Sequence, residues 1–129
     1  EDENPAIDPA QLDYLRSIGY ELFIQSIIDA YLDDCTDVMA AFQTAVKDQN
    51  VADFRFHAHA FKSGAANVGA LPLVEICGKL EVISEHDFDT RRFEFQDQIE
   101  REVQRVRDCL IDQIVDAKPE DASHLQQSN

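Results

Sequence analysis

Tryptophan is absent from this chain, and glycine and proline occur only four times each in 129 residues. So few turn-forming residues argue against a strand-and-turn fold and for helices. Cysteine is equally sparse. Cys35, Cys77 and Cys109 are odd in number and never closer than 32 residues, which fits neither a disulfide framework nor a C-x-x-C metal clip. Each falls among apolar residues at helical spacing, so all three are expected as small, reduced core residues. Basic residues are scarce too. Eleven Lys and Arg stand against 26 Asp and Glu, a formal net charge of −15. Such a surface repels nucleic-acid phosphates and anionic lipid headgroups. No run approaches the ~18 apolar residues that a membrane span needs.

What remains is a chain that is 44% hydrophobic, too apolar for a disordered acidic polymer. Its length suits one domain burying roughly two-thirds of its unfolded surface. Asp8-Pro9 announces a first, short helix by pairing an N-cap side chain with proline at the first helical position. Leu12, Leu15 and Ile18 give its stripe, and Gly19 stops it. A second helix is predicted over residues 21–47, with apolar positions every three or four residues from Leu22 to Val46. Asp33-Asp34 and Thr36 are read as a break or kink near its middle. A third runs over 51–68 and ends at Gly69. A fourth starts near Pro72 and continues to about residue 84. The last spans about 90–117, with Phe93, Ile99, Val103, Val106, Leu110 and Ile114 toward the core. Short connections make neighbours antiparallel. The expected fold is all-α, an antiparallel up-and-down four-helix bundle with an additional short N-terminal helix.

The ends read differently. Residues 1–7 are expected as an acidic linker, 8–117 as the bundle domain and 118–129 as a polar, flexible tail. The chain opens on Glu1 with no basic-then-apolar leader, and is expected to be a cytoplasmic piece of a longer protein.

One window escapes the acidity. Residues 52–70 hold Arg55 and Lys62 against Asp53 and net +1, leaving −16 on the rest. At about 100° per residue, Phe54, Ala58, Phe61, Ala65 and Val68 form one stripe that must face the core. His59 points away from it. Arg55, Lys62 and Ala66 lie within about 60° of His59 on one side, and Ser63 and Phe56 within about 60° on the other. His57 lies about 160° away, at the edge of the core stripe, where a histidine bonded to backbone or water is expected. Two histidines at i and i+2 share no face, so they cannot hold one metal. The Glu-x-x-His pairs of a ferritin-like site are missing as well. No metal or other cofactor is expected in this domain.

A surface histidine is ordinarily unremarked. Here Lys62 follows one turn later, and Ser63, Gly64, Ala65 and Ala66 are all small. Glycine inside a helix costs stability, which helices tolerate where something must approach closely. An imidazole of ordinary pKa, ~6.5, is mostly neutral above about pH 7 and attacks phosphorus well. It needs room for in-line approach and positive charge near the equatorial oxygens. Lys62 could supply the charge, and Ser63 and Ala66 the room. There is no P-loop and no kinase signature, so phosphate would have to come from another protein rather than from ATP.

At these residues the sequence resembles the histidine-containing phosphotransfer (HPt) domains of multistep two-component relays. Their core pattern is roughly H-x-L-K-G-S, a small-residue stretch, then G-A-x-x-L-x-x-L-C-x-x-L-E. The match reads His59, Phe61, Lys62, Gly69, Ala70, Leu73, Ile76, Cys77, Leu80 and Glu81, with the usual Gly-Ser appearing as Ser63-Gly64. The resemblance implies a four-helix bundle, His59 as phosphoryl acceptor and donor, and Lys62 as the residue that helps with phosphate charge. It implies response-regulator receiver domains as partners, whose aspartate and Mg²⁺ carry most of the chemistry. Arg55, Phe56, Ser63, Ala66 and Gly69 are the expected docking residues. The resemblance also suggests a place in a hybrid sensor histidine kinase, and a monomer in isolation. Two other readings stand beside it. One is an acidic helical adaptor that binds a receiver or kinase domain without accepting phosphate. The other is an acidic helical chaperone, which leaves the pattern of His59, Lys62 and Gly69 unexplained.

Overall fold

A computed structural model describes the backbone over residues 5–127, and side chains through Asp112 with Gln11 excepted. It has five helices: α1 (Pro9–Ser17), α2 (Glu21–Lys47), α3 (Val51–Asn67), α4 (Leu71–Leu80) and α5 (Glu85–Gln127). α3 packs between α2 and α4, α5 closes the ring against those same two helices, and α1 leans on α2. This is the four-helix bundle with an extra N-terminal helix that the apolar periodicity implied.

Local chemistry fixes the helix ends. Asp8 caps α1 by accepting the Ala10 N–H at 3.0 Å, and Asn50 caps α3 by accepting the Asp53 N–H at 3.0 Å. At the other end of α3, Gly69 takes φ +74°. That turn lets the Ala70 N–H reach the Ala65 carbonyl and the Gly69 N–H reach the Ala66 carbonyl. The last carbonyls of α3 are thereby satisfied, which is why glycine belongs there. The Gly69 carbonyl in turn accepts the Asp8 N–H at 2.7 Å, tying the N-terminal entry to the α3–α4 corner.

The core is aromatic at its centre. Phe54 of α3 lies between Phe42 of α2 and Phe88 of α5, with ring centroids 5.3 and 5.0 Å away, and all three are fully buried. Tyr31 stacks on Phe61 and donates its hydroxyl to the Val103 carbonyl. Cys35 and Cys77 are buried in the same core, and Cys109 packs against it. Burial pushes the Cys77 thiol up to about 12, so it is held as a neutral apolar group.

Several expectations need correction. α2 runs unbroken through Asp33, Asp34 and Thr36, because these side chains face solvent while Tyr31 and Cys35 keep the buried stripe in register. α4 stops at Leu80, four residues early, with Glu81 as its C-cap. α5 starts at Glu85 rather than near residue 90: Ser84 accepts the Asp87 N–H, and Phe88 anchors the first turn in the core. A kink at Arg91 (φ −133°, ψ 18°) follows that turn. Phe93, expected in the core, is 66% exposed. Ala6 and Ile7, assigned to the linker, are buried. The stretch expected as a tail continues the α5 backbone to Gln127. Residues 1–4 of the expected linker, the last two of the tail, and the Ile114 side chain lie outside the described residues.

Candidate functional site

The apolar stripe of α3 is buried as the spacing requires: Phe54, Ala58, Phe61, Ala65 and Val68 are each no more than 4% exposed. That burial fixes the rotation of the helix, and with it the outward direction of His59. The His59 side chain is 73% exposed and the Lys62 side chain 34%.

Between them comes a third group, from the C-cap of α4. Glu81, whose side chain is only 17% exposed, places Oε1 2.6 Å from His59 Nδ1 and Oε2 2.5 Å from Lys62 Nζ. The carboxyl is held below the ordinary glutamate range, first by the hydrogen bond from Lys62 and then by that from His59. An ionised carboxylate can only accept. The proton of a neutral His59 ring therefore sits on Nδ1, donated to Glu81, and Nε2 carries the free lone pair. The arrangement selects the ring tautomer and leaves an unprotonated nitrogen on an exposed ring, with an ammonium one helical turn away.

Sequence reasoning placed His59 and Lys62 together on one face, and the structure brings them together through Glu81. Glu81 belongs to the family pattern, but nothing in the sequence assigns it a role beside His59. His59 and Glu81 are 22 apart in sequence, and only the packing of α4 on α3 joins them.

The expected docking residues divide. Phe56, Ser63 and Ala66 are exposed on the His59 side of α3. Gly64 has open space where a Cβ would stand. Arg55 is half-buried, and its Nε donates to the Ile83 carbonyl at 2.8 Å. Gly69 is buried at the α3–α4 corner, where its backbone shapes the turn and offers no side-chain surface. His57 is half-buried with its ring edge-on to Phe42 and Phe56, away from the Glu81 carboxylate. On the far flank of α3, a groove of about 510 Å³ between α1, α2 and α3 is lined by Phe23, Ile27, Tyr31, Phe61, Gly64 and Asn67, among others.

Comparison with known proteins bears on this geometry. The Hpt domain family model matches residues 26–109. Among solved structures, histidine-containing phosphotransfer protein B (HptB) from Pseudomonas aeruginosa PAO1 superposes with a TM-score of 0.74. It is 24% identical over 86% of this chain and 96% of that one, a likeness of fold. No curated protein matches.

Proposed function

The chain belongs to the Hpt domain family, and on that premise we propose that His59 is the residue phosphorylated in a multistep relay. Domains of this family serve histidine phosphotransfer in two-component signalling and interact with response-regulator receiver domains. In the proposed step, His59 Nε2 attacks the phosphorus of a receiver's aspartyl phosphate. The N–P bond forms as the acyl P–O bond breaks, and the electron pair leaves on the receiver carboxylate. The Nδ1 proton stays on the ring, so the product is a phosphoryl imidazolium whose charge Glu81 offsets. Onward transfer to a second receiver aspartate is the reverse of this step.

The observation that carries the reading is the pairing of His59 Nδ1 and Lys62 Nζ to one carboxylate, 2.6 and 2.5 Å away. It presents Nε2 in the nucleophilic form and holds an ammonium within reach of the phosphoryl oxygens. The exposed small side chains of Ser63 and Ala66 support an open approach for the receiver. Free thiols at Cys35, Cys77 and Cys109 fit a cytoplasmic setting.

The test is transfer from a phosphorylated receiver with its Mg²⁺. The chain should gain an acid-labile, base-stable label on Nε2, seen by phosphorus NMR. His59→Gln should abolish the label while leaving the helical circular dichroism unchanged. Label retained in His59→Gln, or found on His57, would overturn the assignment.

A further inference from the structure

Arg55, His59 and Lys62 stand at i, i+4 and i+7 on α3, one stripe spanning about 10 Å of helix. All three bond to the same short stretch of chain. His59 and Lys62 hold the Glu81 carboxylate, and Arg55 Nε donates to the main-chain carbonyl of Ile83 two residues on. That stretch is where α4 has ended and α5 has not begun. Its own backbone ties are few: the Glu81 N–H to the Cys77 carbonyl at 2.9 Å, and the Ile83 N–H to the Leu80 carbonyl at a long 3.3 Å. Ile83 is buried and Val82 is 75% exposed, so the turn has one apolar anchor.

We propose that Arg55 is a positioning residue for His59: by clamping the Ile83 carbonyl it fixes the α4–α5 turn so that Glu81 meets Nδ1. Arg55 and Lys62 pin the turn from both sides of the histidine. Glu81 sits on the last residue before the chain leaves the helical path. Its carboxylate position therefore depends on where the turn is held as well as on α4. Without the Arg55 bond, Ile83 keeps its core contact, but the turn's carbonyl loses its donor from α3 and the two-point grip on the Glu81–Ile83 stretch becomes one-point. The clamp is geometric, because the acceptor is a main-chain carbonyl and not a carboxylate.

This inference rests on the phosphoryl-acceptor reading of His59, and its test has one arm that does not. In the intact chain, nitrogen-15 NMR of the His59 ring reports which nitrogen carries the proton. The unmodified chain should show the Nδ1–H form. Arg55→Met keeps the aliphatic stem and removes the donor; it should move the ring toward the tautomer mixture of a free imidazole. The second arm is phosphorylation by phosphoramidate, a small donor that needs no docked protein. Nε2 attacks its phosphorus, the P–N bond breaks, and ammonia leaves. Lost orientation in Arg55→Met should slow this reaction about tenfold. Arg55→Lys, which can still reach the carbonyl, should restore most of the Nδ1–H signal and most of the rate. The proposal is overturned if Arg55→Met leaves the ring tautomer unchanged. A variant that slows only transfer from a receiver assigns Arg55 to partner contact and overturns it too. If Arg55→Met loses helical signal, Arg55→Lys and Arg55→Gln decide. Unfolding of all three would make Arg55 a fold anchor and end the positioning role. A chain that takes no phosphate at all, yet shows the tautomer shift, refutes the relay and leaves this inference standing.

Discussion

Gly64 gives a sharp separation of fold from function. It lies inside α3 between Ser63 and Ala65, its backbone is helical, and a Cβ built on it meets no atom within 4 Å. Nothing in the packing requires glycine there. In a helix interior glycine is about 0.5–1 kcal/mol worse than alanine, because the unfolded chain has more freedom to lose. With no clash to offset that gain, Gly64→Ala should stabilise the bundle by about that amount. Unfolding entropy of ~2.1 cal/mol/K per residue makes 1 kcal/mol worth about 4 °C in a chain of this size. Thermal unfolding followed by far-UV circular dichroism should therefore show Tm rising by about 2–4 °C. Gly69 is the internal control. At φ +74° a side chain is strained, so Gly69→Ala should cost about 1–2 kcal/mol and lower Tm. Gly64 also lines the groove beside α1 and α2. Gly64→Leu fills that groove on the flank of α3 away from His59, and it should leave phosphoramidate phosphorylation unchanged. A fall in Tm for Gly64→Ala, or equal responses at the two glycines, would refute the reasoning.

Two further predictions concern the site itself. Glu81 has a folded-state pKa below the ordinary glutamate value, held down by its hydrogen bonds from Lys62 and His59. Its ion-pair contribution is therefore complete above the unfolded value and is lost as pH falls through the lower folded one. Glu81→Gln removes that contribution, so the Tm gap between the two proteins should be constant near neutrality and close in acid; a gap that persists below the glutamate range contradicts the pairing. Ala66 is exposed on the His59 face, and Ala66→Glu sets a carboxylate where an acidic receiver site would dock. Like-charge juxtaposition of this kind costs several kcal/mol, so receiver transfer should fall at least about tenfold while the phosphoramidate rate holds. An equal fall in both rates would mean that the side chain disturbs His59 rather than the partner.

The bundle was legible because helix is a local signal repeated many times. Phe54, Ala58, Phe61, Ala65 and Val68 fix the rotation of α3 on their own, and the outward direction of His59 follows from them. The failures sit where a local signal is ambiguous. Val82 and Ile83 extend the apolar pattern of α4 past its real end at Leu80, yet only Ile83 is buried. The start of α5 had a usable mark, Ser84 three residues before Asp87, which is the side-chain-to-backbone cap the structure contains. The Arg91 kink had a weaker one: Asp89 and Thr90 just before it are poor helix formers, and the Thr90 hydroxyl donates back to the His86 carbonyl at 2.9 Å. In the site, His59 and Lys62 were readable because one helix carries both. Glu81 was not, because no periodicity links positions on two helices. Arg55 was visible as a charge on the right face and read as a docking residue. Its partner is a main-chain carbonyl, which every residue has and no sequence pattern displays.

The charge arithmetic acquires a different meaning once Glu81 is in place. From sequence, α3 was a near-neutral window on a −15 chain, an island where an acidic partner could land. The fold delivers a carboxylate into the middle of that island and pairs it with Lys62, the ammonium nearest the nucleophile. In the proposed relay, phosphate on His59 brings about two negative charges to a lysine already engaged. Whatever attraction Lys62 gives the phosphate is drawn from Glu81, so its net stabilisation of phosphohistidine is smaller than that of an unpaired lysine. A carrier that both accepts and donates benefits from that restraint. Each 1.4 kcal/mol or so of excess stability in the phosphorylated form would shift the transfer equilibrium tenfold toward the carrier and slow its release. In the proposed relay Glu81 would act in two opposed ways: through Nδ1 it favours the tautomer that accepts phosphate and offsets the charge of the phosphorylated ring, and through Lys62 it limits how firmly phosphate is kept.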